Sequence, residues 1–355
     1  MERKTGQINT IASLAVIALA FVVAGFAYLV APDPSPYANR MTVEIGGKKP
    51  GYTQCFLLLR YPRYERTGLL QRIWSGIPDS CAYIPITAWR IDGDSLKVDK
   101  YIDDGLTEPQ TFALARVNPY HLPLTRYIRT QHFYLGTDRF GRDVLSRLLV
   151  GTRVSLSVGL VAVALSLSIG IALGALGGYY GGRIDEVIVW FMNIVWSIPT
   201  LLLVFAITFA LGKGFWQVFV AVGLTLWVNV ARTLRGQVLV VRNIEYVEAG
   251  RALGFSDTRI IVRHILPNVI GPVLVVAASN FASAIVIEAG LSFLGVGVQP
   301  PQPSWGLMIK ENYSFIITHN PTLAIVPGVA IMILVLAFNL LGNGLRDALD
   351  VRKSK

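Results

Sequence analysis

The chain has 355 residues and a formal net charge of +10, with 53% hydrophobic and only 15% charged residues, and its mean hydropathy is +0.52. The length would suit about two soluble domains, but this hydropathy excludes an ordinary soluble protein and points to a multi-pass membrane protein. The excess of bases does not indicate nucleic acid, because it is not gathered with aromatics on one amphipathic face and membrane proteins carry Lys and Arg in their cytoplasmic loops.

Arg3 and Lys4 precede an apolar run from Ile11 to Val30, which is long enough to cross a hydrocarbon core. A secretory signal is the rival reading. The run exceeds a typical signal core, however, and Ala31-Pro32-Asp33 is a poor cleavage site, so a retained first span with an inside N-terminus is expected. From Pro32 to about Leu149 no run is long enough to span. This stretch reads as an extracytoplasmic domain. Cys55 to Arg60, Ala82 to Ile91 and Thr111 to Val117 suggest strands, punctuated by Pro62, Pro78, Pro85, Pro109, Pro119 and Pro123. Cys55 and Cys81 would then lie in an oxidising compartment, where a disulfide between them is the favoured expectation over two free thiols. Near the end of the stretch, Thr137 or Asp138 can cap a short helix with Val144, Leu145, Leu148 and Leu149 on one face and Arg142 and Arg147 available to lipid headgroups, an interfacial lead-in to the next span.

The second span is expected from Val154 to Leu176. Gly170, Gly174 and Gly178 recur along it at the spacing of a helix-packing face. A glycine- and tyrosine-rich turn at 177–183 follows. Span three, Val187 to Leu211, carries Asn193 and Ser197, and Pro199 predicts a kink near Val195. Span four, Phe215 to Val230, has Trp216 and Trp227 placed for the two interfaces. The polar stretch 231–268 holds six arginines against Glu245, Glu248 and Asp257, and the positive-inside rule assigns it to the cytoplasm. Span five, Val269 to Leu294, contains Glu288, which should face the bundle interior, a cavity or a partner. A proline-rich connection with Trp305 leads to span six, Leu323 to Leu341. Arg346, Arg352, Lys353 and Lys355 then mark the inside again.

Within the polar stretch, Glu248 to Leu253 can form a short helix stopped by Gly254 in the left-handed position. Ser256 can cap a second helix with Asp257 in its first turn and Pro267 closing it. Ile260, Ile261, Ile265 and Leu266 form an apolar stripe there, with Arg259, Arg263 and His264 polar. Such a helix pair offers a surface for docking into a groove of another protein, whereas a self-packed loop is the alternative.

This stretch resembles the EAA loop of binding-protein-dependent ABC importer permeases. Glu248, Ala249, Gly254, Ile260, His264, Leu266, Pro267 and Asn268 match that pattern, and Gly250 departs from its second alanine. Two further stretches, 136–147 and 288–301, resemble the dipeptide, oligopeptide and nickel permease group, and within it the C-type subunit. The resemblance fits the all-α polytopic fold of six transmembrane helices read above, and the β-containing extracytoplasmic domain expected after the first helix is longer than the corresponding part of familiar members and is not assigned by analogy. The apolar runs divide the chain into 1–31, the external 32–149, a five-helix core 150–346 and the tail 347–355, and the charge bias puts both termini inside. The resemblance implies a bacterial cytoplasmic membrane. The partners it implies are a second permease subunit, two ABC ATPases and an extracytoplasmic solute-binding protein. ATP and Mg would be bound by the ATPases, since this chain has no Walker A sequence: the pairs Gly47-Lys48 and Gly212-Lys213 lack the earlier glycine. The four histidines and two cysteines form no recognisable catalytic or metal set, so no cofactor or metal is expected in this chain. The residues expected to couple to the ATPases are Glu248, Ala249, Gly254, Ser256, Asp257, Arg259, Ile260, His264, Leu266 and Pro267, and Glu288 is a gating candidate. A self-sufficient secondary transporter is the competing class, but no inverted repeat is visible in the sequence.

Overall fold

The computed structural model describes residues 2–61, 68–118, 123–212, 214–317 and 320–349. Pro62, Pro119, Lys213 and the tail bearing Arg352, Lys353 and Lys355 lie outside them. In chain order the first helices are α1 (Glu2–Val30), α2 (Leu69–Ser75), α3 (Leu114–Val117), α4 (Val144–Tyr180), α5 (Gly182–Ser197) and α6 (Thr200–Leu211). They continue as α7 (Phe215–Val241), α8 (Glu245–Ala252), α9 (Asp257–Leu294), α10 (Trp305–Asn312) and α11 (Thr322–Leu349). The strands are β1 (Tyr52–Arg60), β2 (Cys81–Asp92), β3 (Ser95–Asp103), β4 (Leu106–Ala113) and β5 (Ile128–Phe133). Among the described residues α1, α4, α7, α9 and α11 are long and apolar enough to cross a membrane; α5 and α6 form a bent pair that makes a sixth if counted as one span. The chain divides into two compact units. One comprises Met1–Phe21, Ser155–Gln299 and Ala330–Lys355, the other Val22–Val154 and Pro300–Val329.

In the first unit α7 is the central helix: 67% of its apolar stretch is buried, against 28% to 44% for the other spans. Its expected end at Val230 is corrected to Val241. Val230, Leu234 and Val238 continue the helical spacing and are fully buried, so the helix has reason to extend through Arg232 and Arg235. Gly170, Gly174 and Gly178 of α4 lie against it. A Cβ on them would come within 2.5 Å of the Val230 Cβ, 2.6 Å of the Ala231 carbonyl oxygen and 2.7 Å of the Val238 Cβ respectively. The missing side chains are what let the two backbones approach. At the end of α4, Gly181 takes a left-handed backbone (φ +66°), and the Arg242 guanidinium donates to the last carbonyls of the helix, those of Gly178 (3.0 Å) and Tyr179 (3.4 Å).

The expected kink in span three is instead a break. α5 stops at Ser197, Ile198 is extended (φ −92°, ψ 129°), and Pro199 precedes α6, which leaves at 95° to α5. The residue before a proline is pushed out of the helical region, so the discontinuity falls at Ile198 rather than a turn earlier at Val195.

The second unit holds a five-stranded antiparallel sheet in the order β4-β3-β2-β1-β5. Both faces of β1 are covered. Leu57 packs with Ile86, Leu96 and Val98 on one side, Phe56 and Leu58 with Ile45, Tyr101 and Phe133 on the other. This double coverage accounts for the unbroken apolar run in its sequence. Pro109 sits in β4, an edge strand, where a missing amide is tolerated. Pro85 lies inside β2 at a position paired only with Phe56 of β1, just before the β3 pairing begins at Ile86. The stretch expected as a strand from Thr111 to Val117 ends at Ala113 and passes into α3.

The disulfide expectation is not met, because Cys55 and Cys81 are free thiols. Cys55 pairs with Ile86 and Cys81 with Arg60 across β1 and β2, an offset of five residues. At strand rise this separates them by about 17 Å, far beyond disulfide reach.

The interfacial lead-in helix is also corrected. The 136–143 segment is a tight turn with left-handed glycines at Gly136 and Gly141, where a Cβ would strike the Lys48 and Thr42 carbonyl oxygens. Asp143, not Thr137 or Asp138, caps the helix that follows, accepting from the Ser146 amide at 2.8 Å, and that helix is α4 itself. Arg142 and Arg147 are each only 1% exposed. Arg142 donates to Asp138 (2.6 Å), Asn39 (3.1 Å) and Glu311 of α10 (2.5 Å), and Arg147 donates to Glu311 (3.3 Å). Asp33 accepts from Ser35 and Arg40 nearby. Burial, reinforced by the Asp33 and Asp138 charges, pushes the Asp143 carboxyl above its ordinary value against the two Ser146 hydrogen bonds that lower it.

A maleimide should label both thiols of the denatured chain without prior reduction; one that reacts only after reductant would contradict the sheet register. A carboxyl whose folded pKa is raised contributes stability below its unfolded pKa and loses it as pH rises through the carboxylate range and above. Asp143→Asn should therefore gain melting temperature over the parent as pH rises from below the ordinary carboxyl pKa to above it, as followed by thermal unfolding in detergent.

Candidate functional site

The Glu248–Asn268 segment is built by α8 and the start of α9. The C-terminus of α8 is a Schellman turn: Phe255 N–H donates to the Gly250 carbonyl (3.1 Å), and Gly254 N–H, at φ +74°, donates to that of Arg251 (2.9 Å). Ser256 takes the cap position of α9 with an extended backbone, but its side chain makes no capping bond. Asp257 instead accepts from the Tyr179 hydroxyl at 2.7 Å, while the Arg251 guanidinium lies 5.1 Å over the Tyr179 ring. The Phe255 ring stacks on His264 at 5.6 Å and 9°, with Arg259 on it at 3.9 Å.

Pro267 does not close the second helix, as the sequence suggested. Ile260–Ile265 is π-helical, and the Leu266 amide bonds five residues back to Ile261. The wider turn relieves the clash between the proline ring and the preceding turn, and the helix runs on to Leu294. The apolar stripe faces inward. Ile260, Ile261 and Ile265 are buried in one core with Ala175, Leu234, Val238 and Val247. What points outward is Glu248, Ala249, Gly254, Asp257, Arg259 and Pro267, together with Leu253 (72% exposed) and Val262 (57% exposed). His264 and Leu266 are half-buried. Sequence reasoning passed over Leu253 and Val262, whose signal lay in falling off the isoleucine stripe. It also passed over Tyr179 and Arg242, whose partners are distant in sequence.

Glu288 lies within α9 and is fully buried. The Ser292 hydroxyl donates to it at 2.7 Å and itself accepts from the Val298 amide at 3.0 Å, tying the end of α9 to the turn that follows. Gly295 there is left-handed, and a Cβ at Gly297 would stand 2.2 Å from the Ser292 hydroxyl oxygen. The Glu288-to-Gly297 signature thus encodes a helix end. Among the described residues no three His, Cys, Asp or Glu side chains are grouped to hold a metal ion.

A mostly helical, multi-pass membrane protein with a helix hairpin locked by its apolar side and presenting a polar one is the class this geometry defines. The chain belongs to the binding-protein-dependent transport system inner membrane component family, which matches residues 170–355. It is 43% identical over 217 residues to the glutathione transport system permease protein GsiD of Pectobacterium atrosepticum, covering 61% of this chain and 72% of the relative. It is 37% identical over 284 residues to the dipeptide transport system permease protein DppC of Alkalihalophilus pseudofirmus, covering 77% and 93%. It is 40% identical over 222 residues to the oligopeptide transport system permease protein OppC of Bacillus subtilis, covering 62% and 72%. These names agree with the C-type resemblance drawn from the sequence. A solved inward-facing methionine ABC transporter, MetNI, aligns with 57% of this chain and 95% of its own at 23% identity and a TM-score of 0.47. The family is the membrane permease subunit of ABC transporters and not the part that hydrolyses ATP.

Two glycines should respond oppositely to alanine. At Gly174 the new Cβ meets backbone at 2.6 Å and should cost about 1–3 kcal/mol. At Gly250 the nearest atom is the Phe255 ring at 3.5 Å, ordinary contact, and the helix should gain about 0.5–1 kcal/mol. Thermal unfolding of Gly174→Ala and Gly250→Ala checks the contrast; equal shifts would contradict it.

Proposed function

We propose that this chain forms half of the translocation path of an ATP-driven importer for peptides, paired with a second permease subunit and fed by an extracytoplasmic solute-binding protein. Two ATPase subunits bind ATP and Mg and dock on the outward face of the Glu248–Pro267 hairpin. The observation that carries this reading is the orientation of that hairpin: its isoleucines are held in the chain's own core, so a push on Glu248, Leu253 or Arg259 is passed to α4 and α7 rather than absorbed in a loop. On this reading Glu248, Ala249, Gly254, Ser256, Asp257, Arg259, Ile260, His264, Leu266 and Pro267 act as one lever, the buried members as its fulcrum. Glu288 shapes the end of a span beside the path, a structural role with a bearing on gating. The chain sits in a bacterial cytoplasmic membrane with both termini inside.

The names of the relatives, dipeptide, oligopeptide and glutathione permeases, favour peptides over nickel as cargo. Purification of the tagged chain should bring down ATPase subunits, and Glu248→Ala or Gly254→Val in the assembled transporter should lower peptide uptake and substrate-stimulated ATP hydrolysis together. Normal coupled hydrolysis in an intact variant complex would remove the lever. Gradient-driven uptake by the chain alone would instead support a secondary transporter.

A further inference from the structure

α2 has no buried residue. Leu69, Leu70 and Trp74 are 75%, 85% and 77% exposed, an unusual load of large apolar surface for a seven-residue helix. At helical spacing Leu69, Ile73, Leu70 and Trp74 fall within one arc of about 140°, with Gln71, Arg72 and Ser75 on the other side. The helix is amphipathic, and its apolar arc is turned outward.

Its position is set by two spans. Arg153 of α4 donates to the carbonyls of Trp74 (3.0 Å) and Ile73 (3.2 Å), and its guanidinium lies over the rings of Trp74 (5.2 Å) and Tyr28 (5.3 Å). On the α1 side, Gly76 follows α2 with φ +80°, where a Cβ would stand 3.1 Å from the Tyr28 ring, and the Ile77 amide donates to the Pro34 carbonyl at 2.7 Å. Arg153 immediately precedes the uncharged run that begins at Val154, and Tyr28 lies two residues before the end of the apolar run of α1. Each span separately puts α2 at the level where hydrocarbon gives way to headgroups. An arginine between a tyrosine and a tryptophan is the chemistry of that boundary, since each of these side chains has an apolar body and a polar end.

We propose that α2 is an interfacial anchor that seats Leu69, Leu70 and Trp74 at the headgroup–acyl boundary of the membrane. The ligand is the phospholipid surface itself, and Arg153 is the clasp that keeps the helix in its plane. The surface is separate from the Glu248–Pro267 hairpin, and its test does not depend on transport.

The full-length chain would be reconstituted in phosphatidylcholine nanodiscs with a nitroxide at Leu70→Cys, in a background of Cys55→Ser and Cys81→Ser. A control label would be placed at Asp94→Cys in the β2–β3 turn. Power saturation should show the residue-70 label more accessible to oxygen than to a nickel chelate, the reverse of residue 94, at a depth of about 5–10 Å below the headgroups. Leu69→Cys supplies the same reading if the first variant does not insert. Equal access of the chelate to residues 69, 70 and 94 would overturn the proposal. So would a residue-70 label that is open to the chelate in lipid alone and becomes shielded only when a solute-binding protein is added.

Discussion

The close approach of α4 to α7 is the constraint on which the membrane unit depends. In lipid there is little hydrophobic drive to bring helices together, so contact must come from dispersion between surfaces that fit. Gly170, Gly174 and Gly178 remove the side chains that would hold α7 away. With the backbones at that distance, Arg235 of α7 reaches Asp185 of α5 (2.5 Å) and Arg242 reaches the last carbonyls of α4. Tyr179, one residue beyond the last of the three glycines, is then placed to hold Asp257. The hairpin is therefore indexed to the glycine contact through a chain of short bonds, and its isoleucines share the core that the contact creates.

The second unit uses a different means. Its sheet buries both faces of β1, but the turn at 136–143 and the first turns of α4 are organised by charge. Arg142 and Arg147 give up water almost entirely and share the single carboxylate oxygen Oε2 of Glu311. A buried ion pair adds little net stability compared with a well-packed apolar replacement, but breaking one by removing a partner is costly. Such a cluster tolerates few alternative arrangements.

Much of this was legible in the sequence because hydropathy and charge bias act over long stretches. The apolar runs, the glycine spacing and the stop at Gly254 all depend on local chemistry, and each has a structural counterpart. What was not legible depends on partners remote in sequence. Arg142 and Arg147 read as headgroup ligands because nothing local announces Glu311, 169 residues away from Arg142. Pro267 read as a terminator because the π-helical turn that accommodates it leaves no compositional mark. The pairings of β2 with β3 and of β3 with β4 were missed although Asp92-Gly93 and Asp104-Gly105, which join them in turn, are hairpin turn signals. The cysteines misled for a similar reason: compartment suggests whether a bond can form, but only the register decides whether two sulfurs meet. In the hairpin the matching residues were found from motif, while the direction they face came only from packing.

The separation of Arg142 from Glu311 also bears on how the protein is made. Translation reaches the arginines first, and the glutamate emerges only after four more long apolar or bent-paired segments have been synthesised. Until then the turn that carries them lacks its acidic partner from α10. The Arg142–Arg147–Glu311 cluster thus cannot close until α10 has been made. A chain that stops before α10 leaves Arg142 and Arg147 without the Glu311 carboxylate.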